Sequence, residues 1–196
     1  MEIVSTWFFD LIAPVYERVA HPLVMGHPAH VFELLQLQGT EKILDVGGGT
    51  GSLARLIVER TRAEVTVLDA SRRMLDQIPD HPRLHKVHGP ANSLPFHADS
   101  FDLVVSTAAM HWLTPHQATL SAMRRVLKVG GKLYLQDFDK AGLAGPLLTR
   151  GEELFKQGAE YLSRQELEPM LKEQGFSGRF VLFNLFQYAY IGYKEP

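Results

Sequence analysis

A carboxylate and four glycines stand together in Asp45-Val46-Gly47-Gly48-Gly49-Thr50-Gly51, directly after the short apolar run that begins at Lys42. Glycines at 47, 49 and 51 let the backbone turn sharply and let a ligand approach with no side chain in the way. The turn opens a helix, whose free N–H groups favour a negatively charged group nearby. A second acid, Asp69, ends the next β-branched run, 18 residues past Gly51. A carboxylate at that place accepts hydrogen bonds from both hydroxyls of a ribose, so an adenosine compound is the ligand it suits. The glycines alone fit a tight turn without a ligand equally well; Asp45 and Asp69 in register favour the nucleoside. A dinucleotide fingerprint, G-x-G-x-x-G, would need glycine where Ser52 stands.

The residues able to move a proton follow later strands. His111 lies five residues beyond Ser106, and imidazole titrates near neutrality. Its alternative reading is a packing histidine beside Trp112 at a helix start. Asp137 and Asp139 follow the fifth strand, able to orient or deprotonate an acceptor, or equally to cap a helix or sit in a solvated loop. Trp7, Phe8, Tyr16 and Trp112 can wall an apolar pocket, although aromatics at helical spacing also serve as core. His81, His85 and His88 have a spacing that a helix would present to a metal, but Pro82 opposes a helix there, and no metal site is expected.

The elements that must position these groups alternate. Phe8, Leu11, Ile12, Val15 and Val19 recur at helical spacing after Ser5 or Thr6, with Pro14 interrupting. Val31, Leu34 and Leu35 mark a second helix ended by Gly39. Strands follow at Lys42 to Val46, Glu64 to Leu68, Leu84 to His88, Phe101 to Ser106 and Lys132 to Gln136. Helices carry Leu53, Leu56 and Ile57, then Ser71 to Gln77 with Met74 and Leu75, then Met123, Val126 and Leu127. Thr114-Pro115 is expected to start the last of these, and Gly130-Gly131 to stop it. Ser163 with Glu166 spells a capping box for a helix through Leu167, Met170 and Leu171, with Pro169 inside it. Arg179 to Phe183 and Phe186 to Tyr193 close the chain as paired strands. Alternation of this kind implies an α/β, doubly wound, mainly parallel sheet with helices on both faces. Its ligands sit beyond the carboxyl ends of the strands.

Composition excludes several other classes. At 196 residues, 45% hydrophobic and 21% charged, the chain suits one globular domain. A net charge of -2 argues against a broad polyanion-binding face, so no nucleic acid is expected. Without cysteine there is no disulfide, thiolate metal site or cysteine nucleophile. Acidic residues interrupt the N-terminal apolar stretch, and no run approaches the roughly 18 apolar residues that cross a bilayer. A cytoplasmic protein, monomer or homodimer, is the expectation.

Asp45 followed by G-x-G-x-G resembles the first motif of class I S-adenosylmethionine methyltransferases, and from about Phe8 to Tyr193 the chain resembles the methyltransferase type 11 family, which includes the ubiquinone/menaquinone-biosynthesis enzymes. The resemblance is carried by FDLIAPVY near the start, by ILDVGGGTG and VLDAS, by GPANSLPF followed by SFD, and by MHWL and RVLKVGG. It implies a Rossmann-like seven-stranded sheet with one antiparallel strand near an edge. It also implies S-adenosylmethionine as cofactor and a small-molecule acceptor methylated at carbon or oxygen. Tyr16 would reach the methionine end, the carboxylate of Asp45 would suit the cationic half, and Gly47, Gly48, Gly49 and Gly51 would form the turn. Asp69 would hold the ribose, Ala70, Ala91 and Asn92 would flank the adenine, and Ser106 would lie near the methionine amino group. His111 and Asp137 are the candidates for catalysis. The parts would be a helical cap (1–40), a cofactor-binding core (41–140), and a small lid with closing strands (141–196). In two places the chain departs from the family. Pro90 stands where an acid usually accepts from the adenine amino group, costing roughly 1 kcal/mol if nothing replaces it. Gly48 stands where cysteine or serine is commoner, a change expected to be harmless. A non-catalytic module binding the same cofactor satisfies the same motifs, and a dinucleotide-dependent oxidoreductase is the reading that Ser52 opposes.

Overall fold

Strands with no polar face need cover on both sides, and that requirement organises this molecule. The computed structural model describes residues 9–11, 13, 28–142, 145–146, 150 and 158–196. In β1 (Lys42–Val46), Ile43, Leu44 and Val46 have no exposed surface. β4 (Phe101–Thr107) is buried along nearly its whole length. With β2 (Glu64–Asp69), β3 (Leu84–His88), β5 (Leu127–Phe138), β6 (Phe176–Leu182) and β7 (Gln187–Lys194) they form a seven-stranded sheet in the order β3-β2-β1-β4-β5-β7-β6. β7 runs antiparallel to both β5 and β6, while β1, β2, β3, β4 and β5 pair in parallel. The expected antiparallel strand beside an edge is therefore β7.

Successive strand residues point to opposite faces, so each strand feeds two cores. Leu44, Val46 and Val104 join one core, against α4 (His116–Val126) and α5 (Arg164–Glu173) through Leu120, Met123, Leu167 and Leu171. Ile43, Val65 and Val105 join the other, against α1 (Pro28–Leu35) and α2 (Ser52–Arg60) through Val31, Leu35, Ile57 and Val58. Full burial of each such side chain contributes about 1.5–3 kcal/mol. α3 (Arg72–Leu75) is a single turn capped by Ser71, whose Oγ accepts from the Met74 N–H. The expected capping box of α5 is present: Ser163 Oγ accepts from Glu166 N–H, and Glu166 Oε2 accepts from Ser163 N–H at 2.8 Å. Pro169 is accommodated inside that helix.

Two boundaries differ from the sequence reading. Pro115 precedes α4 in an extended conformation rather than entering its first turn, and no side chain caps the helix start. Gly130-Gly131 does not end the helix. Leu127 already pairs with Phe101, so the sheet takes over at Leu127 and runs through both glycines. The ladder shifts register between Phe101 and Leu103, with Gly130 at a positive φ of 73° nearby. The closing strands are Phe176–Leu182 and Gln187–Lys194, each shifted by one to three residues from expectation. Of the first helix, residues 9–11 and 13 are helical; Ser5, Thr6, Trp7, Phe8, Pro14, Tyr16 and Val19 lie outside the described residues. Among the described residues no helix is long and apolar enough to cross a membrane.

Candidate functional site

The first turn is built by contacts that glycine alone permits. Gly47 N–H donates to Leu68 O at 2.8 Å, pinning the end of β1 to β2, and Gly51 N–H donates to Gly48 O at 2.9 Å as α2 begins. Gly47 has φ of 71°, and a Cβ there would lie 2.7 Å from the Ala109 Cβ. The backbone of the turn thus touches the segment after β4 directly, and the site can close to that width only with glycine. At Gly48 a Cβ would lie 2.6 Å from Asp45 Oδ2 and 2.8 Å from Val67 Cγ1. This corrects the expectation that Gly48 is an indifferent departure: here the Asp45 carboxylate occupies the space a side chain would need.

Asp45 is buried beneath the turn, and its Oδ1 has no hydrogen-bond partner. Burial, with the nearby Asp69 carboxylate, pushes its pKa up to about 7. Asp69 is half-buried at the mouth of the sheet. Its Oδ2 accepts from Gly49 N–H at 2.9 Å and its Oδ1 from Ser71 N–H at 2.8 Å. Burial raises its pKa, and these N–H groups, with His88, oppose the rise. Each carboxylate oxygen keeps a lone pair for a ligand.

Above these residues opens a cleft of about 830 Å³, counting its mouth. Gly47, Gly48, Gly49, Asp69 and Ala70 line one side, Thr107 at the end of β4 with Ala108 and Ala109 beyond it another, and Ala91 a third. Phe9 and Trp112 also line it, packed edge to face with centroids 5.3 Å apart. Ser71 Oγ donates to Asp10 Oδ1 at 2.6 Å, tying the N-terminal segment to the same wall. From the sequence, Phe9 and Asp10 count only as part of FDLIAPVY and Ser71 only as part of VLDAS and a helix start, and none of these nor Thr107 is assigned to the site. The signal for Thr107 was its place one residue past a strand end already marked as important; the role of Asp10 depends on a partner 61 residues away.

The remaining expected cofactor residues divide. Asn92 lines a neighbouring cavity instead of the main cleft. Ser106 is fully buried, its Oγ donating to Val46 O at 2.9 Å, and the cleft wall at the end of β4 belongs to Thr107. Gly51 shapes the turn without lining the cleft, and Tyr16 lies outside the described residues.

The two catalytic candidates meet. His111 and Asp137, 5% and 2% exposed, pair through Nδ1 and Oδ1 at 2.7 Å, while His111 N–H donates to Asp137 Oδ2 at 2.8 Å. Phe138 N–H donates to Asp137 Oδ1, so the carboxylate is fixed from two sides. The imidazole stacks on Tyr161 at 4.6 Å and 15°. With Nδ1 held as the donor to Asp137, Nε2 is the nitrogen that keeps a basic lone pair. Among the described residues nothing hydrogen-bonds it. Asp139 is engaged otherwise, accepting from Arg164 Nε at 2.9 Å and from Ala141 N–H. His81 accepts from Arg83 N–H, and His88 contacts Ala70 O at 3.0 Å.

The donor set fits the expected S-adenosylmethionine. A carboxylate fixed at the rim suits two vicinal hydroxyls, and an unpaired buried carboxylate beneath a glycine turn suits a ligand that brings positive charge.

Comparison with known proteins agrees in family and fold. Residues 44–135 match the family described as a methyltransferase domain, of type 11. A 2-methyl-6-phytyl-1,4-hydroquinone methyltransferase of Oryza sativa is 33% identical over 135 residues, covering 64% of this chain and 38% of that protein. A demethylmenaquinone methyltransferase of Clavibacter sepedonicus is 30% identical over 156 residues, covering 75% and 62%. The chain therefore spans less than two thirds of the length of these curated relatives. A phosphoethanolamine N-methyltransferase of Haemonchus contortus, solved with S-adenosylhomocysteine, superposes with a TM-score of 0.83 at 16% identity, covering 99% of this chain and 60% of that one. That likeness identifies the fold as the class I S-adenosylmethionine methyltransferase fold.

Proposed function

We propose that the cleft binds S-adenosylmethionine and that the protein, whose residues 44–135 match the type 11 methyltransferase domain, methylates a small-molecule acceptor at carbon or oxygen. The observation that carries this reading is the Asp69 carboxylate, fixed at the cleft wall by the Gly49 and Ser71 N–H groups with a lone pair left on each oxygen. Asp69 would accept from the ribose hydroxyls, the turn at Gly47 to Gly49 would leave room for the amino-acid half, and Asp45 would meet its positive charge from below. Bound there, the cofactor supplies a methyl group on a sulfonium, which is lost as a neutral thioether when a nucleophile attacks in line.

The protein's share is alignment and proton removal. Trp112, Phe9 and Leu113 give the cleft apolar walls that exclude water. His111 Nε2 takes the proton that an ionising or re-aromatising acceptor must lose, and Asp137 orients the ring and stabilises its charged form. The hydroquinone and demethylmenaquinone methyltransferase relatives support an acceptor class no narrower than a phenol- or quinol-like small molecule.

Calorimetry on the folded chain tests the reading first. S-adenosylhomocysteine should bind and a nicotinamide dinucleotide should not; the opposite result overturns the assignment. A panel of quinols and phenols should then release S-adenosylhomocysteine from S-adenosylmethionine. Binding without turnover on every acceptor would assign the chain to a non-catalytic module.

A further inference from the structure

A second cavity adjoins the first at Ala70, Ala91, Trp112 and Leu113, and continues past Pro90 and Asn92 to His116. His116 begins α4, and its side chain is 5% exposed, yet neither ring nitrogen has a hydrogen-bond partner. The nearest carboxylate is Glu160, whose Oε2 lies 3.7 Å from Nε2, too far for a hydrogen bond. A buried imidazole with both polar atoms unpaired costs stability, which a ligand reaching it would recover. Burial also lowers the pKa of this imidazole, against the pull of the Glu160 carboxylate, the more distant Asp137 and the nearby Glu160 and Leu113 backbone carbonyls. The ring is therefore neutral near neutral pH, with one donor and one acceptor. In the neutral ring one nitrogen carries the proton and the other keeps a lone pair that can accept.

If the ribose is held at Asp69, as the proposed function has it, the base attached to that ribose must lie against Ala70 and Ala91, where the two cavities join. At the junction Ala70, Ala91 and Leu113 are apolar, and Pro90 offers neither a side-chain acceptor nor an N–H. Of the polar side chains lining the second cavity, Asn92, Gln117 and Glu160 included, His116 is the one whose buried polar atoms lack partners among the described residues. We propose that His116 is the residue that reads the amino-bearing edge of the adenine, its unprotonated ring nitrogen accepting from the exocyclic amino group within this second cavity. The inference rests on nucleoside binding at Asp69 and adds to it the source of base specificity.

Calorimetry with two probes tests this: S-adenosylhomocysteine, and its analogue in which hydrogen replaces the adenine amino group. The full chain should prefer the amino compound by about fivefold or more, the scale of one net hydrogen bond. In His116→Ala the preference should fall to near unity, with thermal unfolding recorded alongside to show that the fold survives. His116→Asn, which keeps a neutral acceptor, should retain part of the preference, and it decides the matter should the alanine variant not fold. No preference in the unaltered chain, or an undiminished one in the folded variants, overturns the assignment of His116. A variant that binds both nucleosides normally but raises the acceptor's KM also overturns it, because the cavity then belongs to the acceptor. Loss of all nucleoside binding by the unaltered chain sinks instead the reading on which this one stands.

Discussion

Asp45 and Asp69 are the same residue type on neighbouring strands, and their surroundings give them different tasks. Asp69 has backbone donors and an opening toward solvent; Asp45 has neither, and its pKa stands near 7. The sign of the consequence for stability is fixed. Below about pH 4 both folded and unfolded chains hold the Asp45 proton, and there is no penalty. Between pH 4 and 7 only the unfolded chain ionises, so stability falls as pH rises, and above 7 a cost of roughly 4 kcal/mol persists. Asp45→Asn removes that slope but leaves an amide without partners, at about 1–3 kcal/mol. Urea unfolding at pH 8 should therefore find the variant more stable by about 1–3 kcal/mol, while calorimetry finds its affinity for S-adenosylmethionine reduced. Equal or lower stability at pH 8 would mean that the carboxylate is not unpaired. His111 and Asp137 give a second expectation at this scale. His111→Gln should lower kcat by roughly 10²- to 10⁴-fold on an acceptor that must lose a proton, and Asp137→Asn by less. Neither should change S-adenosylhomocysteine affinity by more than a few-fold, because neither lines the cleft; a parallel loss of binding would give them a structural part only.

At the scale of elements, the turn between β1 and α2 is specified by what lies beneath it as much as by its own residues. Gly48→Ser would drive a Cβ into Asp45 Oδ2 and Val67. Overpacking of this kind costs typically 1–3 kcal/mol, and in the Asp45→Asn background the cost should shrink, since an amide gives way without carrying charge; denaturant unfolding of the two single variants and the double variant measures the coupling. Additive effects would show that the contact does not matter. The inner strands were readable because burial on both faces leaves nearly continuous apolar runs: Lys42–Val46 falls where the pattern puts it and Phe101–Thr107 runs one residue longer, while the largely exposed edge strand Leu84–His88 also falls where expected. The change from α4 to β5 was not readable, because Val126-Leu127 is apolar in either state and only pairing with Phe101 decides it. In the site, the glycine turn and both carboxylates were legible as local spacing. The meeting of His111 with Asp137 was not, although each was singled out separately. It depends on the β4–β5 register, which sets Ser106 beside Leu135 and so brings two strand ends level. Phe9, Asp10 and His116 were hidden for the same reason, as their importance lies in partners remote in sequence.

For the molecule as a whole, the cleft is where the fold has left its polar groups unsatisfied. The sheet and both cores are closed, whereas Asp45 Oδ1 and both nitrogens of His116, the buried side-chain atoms without partners among the described residues, lie beside or beneath the two joined cavities. A ligand that meets these groups binds the folded chain and not the unfolded one, so its binding energy adds to stability. At a hundred times its Kd the gain is about 2.7 kcal/mol, which for a chain of this size raises Tm by roughly 5–10 °C. S-adenosylhomocysteine should produce a shift of that size, and the nicotinamide dinucleotide none. In Asp69→Asn the starting Tm is expected to fall as well, because the Gly49 and Ser71 N–H groups lose a charged acceptor. The increment on adding ligand is therefore the quantity to compare, and at the same concentration it should drop to a small fraction of that of the unaltered chain. An undiminished increment in Asp69→Asn would mean that the ribose is held elsewhere, and the role given to this carboxylate would fall with it.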